Sequence, residues 1–342
     1  PITAIIGTDE FELFMENNKL TKIAYDTHIP YLELRKQFAQ ANLSDKLIAK
    51  LDRLLDQLKK PIAVRSSSIS EDSINHPFAG VFDTYLIPNN KPTKKENLQE
   101  LTTAIKLVYA SIYSEDSRTY FKTIHQKVED ERMAVIIQEL VGSQHEHYYY
   151  PHISGTAQSY NYYPIAHMKP EEGFAVAAMG LGYYVVGGEK SFRFSPKYPS
   201  TDVFTTKDML KSTQVLLHAI DLHKKNIDYV NDGENAPLVN LDISEVEKHG
   251  TINHCVSVYN AENDRIESGL SGNGPRIINF ANILKHDYLP LANILDELLN
   301  TAKDAFGSPI ELEWAVNLSK TDNNLPSFYL LQIKPIVTSL IN

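Results

Sequence analysis

Pro61-Ile62-Ala63-Val64-Arg65-Ser66-Ser67-Ser68-Ile69-Ser70-Glu71-Asp72 is a short apolar run that delivers one arginine into three serines. Its β-branched residues read as a buried strand, and Pro61 ends whatever helix precedes it. The serines are expected to turn the backbone. Arginine's planar fork matches phosphate oxygens, and serine hydroxyls with turn N–H groups add donors, so the string suits an anion. A strand end with a surface arginine and a serine turn is the plainer reading of the string alone, and the rest of the chain must decide.

The chain has 342 residues, enough for about two domains. Hydrophobic content of 42% and charged content of 22% are ordinary for a globular protein. A formal charge of -10 argues against nucleic acid as a partner, because a phosphate backbone needs a basic footprint. Any phosphate site must therefore be local. The single cysteine, Cys255, excludes an internal disulfide framework and sits in an alternating run that reads as core. No basic leader opens the sequence. The most apolar stretch, Phe174 to Val186, is too short for a membrane helix and is broken by Gly180 and Gly182, so the expected setting is cytoplasmic with no membrane partner.

Outward from the opening stretch, helices are expected from Thr8 to Leu20 with Asp9 as a cap, and from Ser44 to Leu58. Phe78 to Ile87 reads as a strand stopped by Pro88-Asn89-Asn90. Leu98, Leu101, Ile105, Val108 and Ile112 form the stripe of an amphipathic helix, and the charged span from Glu115 to Arg132 continues as helix. Met133 to Gly142 is continuously apolar and reads as a central strand ending in a bend. In Gln144-His145-Glu146-His147-Tyr148-Tyr149-Tyr150, the two histidines would share one face of a strand and could hold zinc, but no third ligand stands at a familiar spacing. An aromatic polar strand is the expectation there. Gly180-Leu181-Gly182 and Gly187-Gly188 permit close backbone approach to a ligand or to another strand. Ser191 to Pro196 alternates as a strand, Asp208 to Leu222 resembles a helix, 238–278 holds short β runs, and Leu289 to Ala302 forms a strong helix that stops near Gly307-Ser308-Pro309.

Ile310-Glu311-Leu312-Glu313-Trp314 alternates cleanly, so Glu311 and Glu313 share one face about 7 Å apart. After a polar loop, Phe328-Tyr329-Leu330-Leu331-Gln332-Ile333-Lys334-Pro335 alternates again. A hairpin would bring Gln332 and Lys334 beside the acids. Carboxylates with an amide oxygen are hard donors of the kind Mg²⁺ takes alongside phosphate and water. An exposed hairpin with cross-strand Glu–Lys pairing fits the same residues. Combined with the arginine–serine stretch and the bend at Gln138-Glu139, whose backbone can pair with a base edge, the pieces compose a nucleotide site.

These residues resemble a family. Val64-Arg65-Ser66-Ser67-Ser68, Glu71-Asp72, Phe78-Ala79-Gly80 and Thr84-Tyr85-Leu86 are similar to the signature of the nucleotide-binding domain of phosphoenolpyruvate synthases and pyruvate phosphate dikinases. So are Val135 to Val141, Gly180-Leu181-Gly182 with Val185-Val186, Ile310 to Trp314 and Leu331 to Pro335, in the right order over nearly the whole chain. The resemblance implies an α+β ATP-grasp fold. Its two lobes would be 1–132 and 133–342, the second carrying the hinge, a small β insertion at about 238–278 and the metal-binding hairpin. The implied activity is an ATP-dependent phosphotransfer, from MgATP to a histidine on a separate phosphohistidine domain, with pyruvate served by a third domain.

By position, the resemblance assigns Arg65, Ser66 and Ser67 to ATP phosphates, and Gln138, Glu139 and Val141 to the adenine hinge. Glu313 and Gln332 would hold Mg²⁺, with Glu311 assisting. Lys334 stands where the family usually has an arginine, keeping the charge and losing the fork. Tyr183 replaces a frequent glutamate. The family's upstream lysine segment, its phosphohistidine motif and a pyruvate-sized remainder are missing, so the expectation is a fragment of a larger protein, inactive alone. An ATP-grasp carboxylate ligase and a degenerate nucleotide sensor are the alternative readings.

Overall fold

The computed structural model describes residues 1–68, 70, 80–165, 167–186, 188–201, 205–250, 252–318 and 325–336. Glu71, Asp72, Phe78, Ala79 and Gly187 of the readings above lie outside them. The fold is mixed α+β with several antiparallel sheets. Its contacts divide the chain into two compact units, one of Pro1–Leu140 with Ile220–Leu238 and one of Val141–Ala219 with Val239–Asn342. Among the described residues no helix is long and apolar enough to cross a membrane.

In the first unit, β1 (Thr3–Ile6), β2 (Ile62–Ser68), β3 (Thr84–Ile87) and β4 (Met133–Glu139) form a sheet in the order β1-β4-β2-β3. The apolar Met133–Glu139 run is thus a central strand. It is bonded on both sides within this unit, whereas the sequence boundary at 132/133 set it at the start of the second lobe. The helix Lys94–Ser111 carries a full capping box between Thr93 and Glu96 and buries Leu101, Ala104, Ile105 and Val108. Ser44 caps Asp45–Leu55 by accepting from the Leu47 N–H at 3.1 Å. The first helix is Thr8–Asn17 with Gly7 at its cap, so Asp9 belongs to the first turn.

The second unit holds β5 (Ser143–His145), β6 (Tyr148–Tyr150), β7 (Ile153–Gln158), β8 (Phe174–Met179), β9 (Phe192–Phe194), β10 (Leu216–Asp221) and β11 (Leu238–Asp242), the last two running across its boundary. Then come β12 (Val256–Asn260), β13 (Arg265–Ser268), β14 (Arg276–Ile278), β15 (Ile310–Asn317) and β16 (Ser327–Pro335). The sheet orders are β11-β10-β6-β5, β13-β12-β14 and β16-β15-β7-β8-β9. The span expected as one helix from Asp208 divides: Thr206–Ser212 is helical, and Leu216–Asp221 is β10, whose Leu217 and Ala219 are buried in alternation. The helix expected to run from Glu115 to Arg132 ends at Thr123, with one short 3₁₀ turn at Val128–Asp130.

Packing fixes the five-stranded sheet. Trp314 is 1% exposed, and the residues level with it on β7 and β8 are Gly155 and Ala177. A Cβ at Gly155 would collide with the Trp314 ring and the Val176 carbonyl, so the small residue is the condition for seating the large one. Leu312, Ala157, Ala175 and Phe194 fill the same core face. The helix Leu291–Phe306 ends at Gly307 in left-handed conformation, as its sequence predicts.

Candidate functional site

Strand β2 does not turn at its serines. It stays paired with β4 as far as Ser68 opposite Met133, because a partner strand is available to take its backbone groups. Alternation then sorts the side chains: Ser66 and Ser68 are buried with Val64, while Arg65 and Ser67 share the half-buried face. Arg65 lies level with Thr84 of β3 and Ile136 of β4. A ligand facing Arg65 therefore meets Ser67, and the Ser66 hydroxyl is on the far side of the strand.

At the end of β4, Gln138 donates to Thr3 Oγ1 at 3.0 Å. Glu139 is buried, its Oε1 accepts the Lys59 N–H at 2.9 Å, and its own N–H donates to Ile2 O at 2.9 Å, so its side chain and its amide are both committed. Leu140 N–H donates to Pro61 O at 2.8 Å. Val141, also buried, opens the second unit.

In the second unit the hairpin that the sequence suggests forms, with Gln332 and Lys334 beside the acids. Glu311 pairs with Lys334 and Glu313 with Gln332, just before a shift at Glu313/Trp314. Lys334 Nζ lies 2.8 Å from Glu311 Oε1 and 3.4 Å from Glu313 Oε1. Burial pulls the ammonium down, but the carboxylates of Glu311 and Glu313 outweigh it and hold Lys334 above the usual lysine value. Gln158 of β7 donates to Glu311 Oε2 at 2.5 Å. Lys334 thus bridges two like charges on one face, and Gln158 anchors one of them.

The same face continues across the sheet. Glu313, Thr156, Val176 and Arg193 are successive register partners from β15 through β7 and β8 to β9. Phe192 and Phe194 pack toward the core, which turns Arg193 to the face of the acids. Its guanidinium sits 3.7 Å from the Phe174 ring centroid and donates to Asn161 Oδ1 at 2.7 Å. Gln158, Thr156 and Arg193 are the residues that sequence reading missed. The signal was present in the alternation of Phe192-Arg193-Phe194, but which sheet that strand joins is a non-local fact.

Elsewhere the structure redirects several expectations. His145 and His147 do not share a strand face: Glu146, with φ of 54°, turns the chain between β5 and β6. His145 instead faces His152 and His249, with ring centroids 5.3 and 6.0 Å away, and its Nε2 is buried without a hydrogen bond. Burial, then the neighbouring imidazoles, lowers His145 to about 4. Among the described residues no group of three or more His, Cys, Asp or Glu is placed to hold a metal ion. A hard cation at Glu313 would accordingly need the Gln332 amide oxygen and oxygens from a ligand, a donor set that suits Mg²⁺ rather than zinc. Gly180 uses its positive φ for close approach to the His218 carbonyl and the Leu217 side chain of β10. Cys255 is fully buried, and burial pushes its thiol up, so it packs rather than reacts.

Residues 1–340 match the family described as "Pyruvate phosphate dikinase, AMP/ATP-binding domain". The "Uncharacterized phosphotransferase YvkC" of Bacillus subtilis is 30% identical over 184 residues, which are 54% of this chain and 20% of that protein. The "Phosphoenolpyruvate synthase" of Aeropyrum pernix is 23% identical over 290 residues, 84% of this chain and 30% of that protein. The chain thus spans less than a third of the length of either relative. With the match extending from residue 1 to residue 340, the chain belongs to the pyruvate phosphate dikinase AMP/ATP-binding domain family.

Proposed function

We propose that this chain is the ATP-grasp part of a phosphoenolpyruvate synthase-like phosphotransferase, binding MgATP and delivering a phosphoryl group to a histidine of a separate domain. The observation that carries this reading is the hairpin register that sets Glu313 against Gln332 and Glu311 against Lys334 on one face, within a chain matched to the family over residues 1–340. The two lobes of the ATP-grasp fold correspond in this reading to the two compact units. The setting is cytoplasmic, and pyruvate is served elsewhere in the full-length protein.

Each residue has a physical task. Arg65, with Ser67 beside it, offers a fork of donors to phosphate oxygens. Gln138 and Glu139, at the end of β4, line the adenine hinge, with Val141 as an apolar wall. Glu313 and Gln332 supply oxygens for Mg²⁺, and Glu311, anchored by Gln158, keeps Lys334 on the same face. When bound, Mg²⁺ neutralises phosphate charge and fixes the geometry of the triphosphate. Lys334 stays protonated between its carboxylates and has an ammonium hydrogen available to a phosphate oxygen. Positioning and neutralisation do most of what phosphoryl transfer asks of a protein.

Calorimetry tests the binding. The chain should take up MgATP, and Arg65→Ala should weaken MgATP about a hundredfold while leaving adenosine affinity within a few-fold. Absence of MgATP binding, or equal loss for adenosine, would overturn the reading. Single-turnover labelling of the full-length protein with ATP should give an acid-labile phosphohistidine.

A further inference from the structure

The face that carries Glu311 and Glu313 holds two cations in contrasting states. Lys334 is bracketed by both carboxylates, at 2.8 and 3.4 Å. Arg193, three strands away in the same register row, has for partners the neutral Asn161 amide oxygen and the Phe174 ring. Among the described residues no carboxylate lies within ion-pair distance of it. A half-buried guanidinium without a counter-charge is costly unless an anion completes it, and Asn161 uses only part of its five-donor fork. Asn161 is itself 3% exposed and donates its backbone N–H to Pro170 O at 2.7 Å, so the guanidinium is aimed by a fixed partner.

We propose that Arg193 is a further anion-binding residue of this face, taking a phosphate-class oxyanion at the β9 edge of the sheet. Strand spacing puts its Cα about 14 Å from that of Glu313, three inter-strand steps of about 4.8 Å. With two long side chains reaching inward, that gap accommodates either the remote phosphates of a nucleotide held at Glu313 or a second, separately bound oxyanion. Val176 and Thr156 lie between them on the same face, one apolar and one hydroxylic. The inference rests on the reading of this face as a nucleotide site.

Calorimetry with MgATP, adenosine and inorganic phosphate, the last titrated with and without saturating MgADP, separates the two sources. If the anion belongs to the nucleotide, Arg193→Gln weakens MgATP about ten- to hundredfold and spares adenosine, with Arg193→Lys intermediate. If it is a second oxyanion, Arg193→Gln keeps MgATP affinity and abolishes phosphate uptake in the presence of MgADP. Asn161→Asp gives a readout that a purely structural arginine would not move: it supplies the missing carboxylate, so it should hold or raise the melting temperature while reducing anion binding as Arg193→Gln does. Wild-type affinities for both MgATP and phosphate in Arg193→Gln and Arg193→Lys would overturn the proposal. Should the parent protein bind no MgATP, the functional reading fails first, and phosphate titration of the nucleotide-free protein then decides for Arg193, whose role is refuted if no phosphate binds.

Discussion

The half-buried face of β2 and the acidic face of the β15–β16 hairpin solve opposite electrostatic problems. On β2 one arginine stands beside a neutral hydroxyl, with the neighbouring serines turned into the interior. On the hairpin two carboxylates stand side by side, bridged by Lys334, and Gln158 anchors Glu311. The first arrangement can address a phosphate directly. The second can address it only through a cation or through Lys334. In the proposed function a chain of net charge -10 takes a polyanionic ligand through attraction built locally and not from the overall field.

The difference can be broken most severely at Glu313. Glu313→Ala should remove the Mg²⁺ dependence of nucleotide affinity altogether, a loss of about a hundredfold or more at saturating Mg²⁺, whereas Arg65→Ala should weaken affinity yet leave it rising with Mg²⁺. An intact Mg²⁺ titration in Glu313→Ala would strike that carboxylate from the site. A smaller effect is expected at Lys334. Lys334→Met frees Glu311 and Glu313 from their counter-charge, so affinity for free Mg²⁺ should rise roughly tenfold without nucleotide while MgATP affinity falls. If both moved together, the lysine would not be competing for the carboxylates.

The smallest effect concerns what each unit buries. In the second, burial and neighbouring imidazoles lower His145 to about 4, and burial is also the leading cause of the fall of His152 to about 4. The folded unit then binds fewer protons than the unfolded chain between about pH 6.5 and 4, and its stability drains away as pH falls through that window. In the first unit burial raises Asp83, Glu100 and Glu234, whose contribution runs the other way and is lost as pH rises through their folded values. Acid should therefore open the second unit first. Trp314, the sole tryptophan, reports that unit by fluorescence, and hydrogen exchange at β2 and β4 reports the other. Simultaneous loss of both signals would contradict the assignment.

Where the evidence is local, the sequence is legible. Ile310 to Trp314 alternates so regularly that the shared face of Glu311 and Glu313 follows, and the second alternating run beyond the polar loop makes the hairpin. The register that sets Glu311 opposite Lys334 comes from the structure. The Ser44 cap and the Gly307 stop are likewise short-range chemistry. Reading failed where a distant partner overrode propensity. Three serines signal a turn, yet β4 keeps them in a strand. Leu216–Asp221 is a short apolar run of the kind whose period is ambiguous, and packing settles it as β10. Glu146 at positive φ gave no warning of the turn that separates His145 from His147. Arg193 joins the acids only because β9 enters their sheet, which no spacing along the chain reveals.

The passage of Ile220–Leu238 into the first unit has a practical consequence for dissection of the protein. Arg35 donates to Tyr229 O, Tyr229 OH bonds Leu86 O at 2.9 Å, and Glu234 accepts the Thr84 N–H at 2.8 Å, on the strand paired with Arg65. A fragment cut after Leu140 would keep the strands of that sheet and lose all three bonds, leaving the buried Arg35 guanidinium with the longer bond to Tyr85 OH at 3.4 Å and without the Tyr229 carbonyl. The first unit is therefore not a separable N-terminal piece. Its minimal form is two stretches of chain, and expressing it alone requires grafting residues 220–238 back onto residues 1–140.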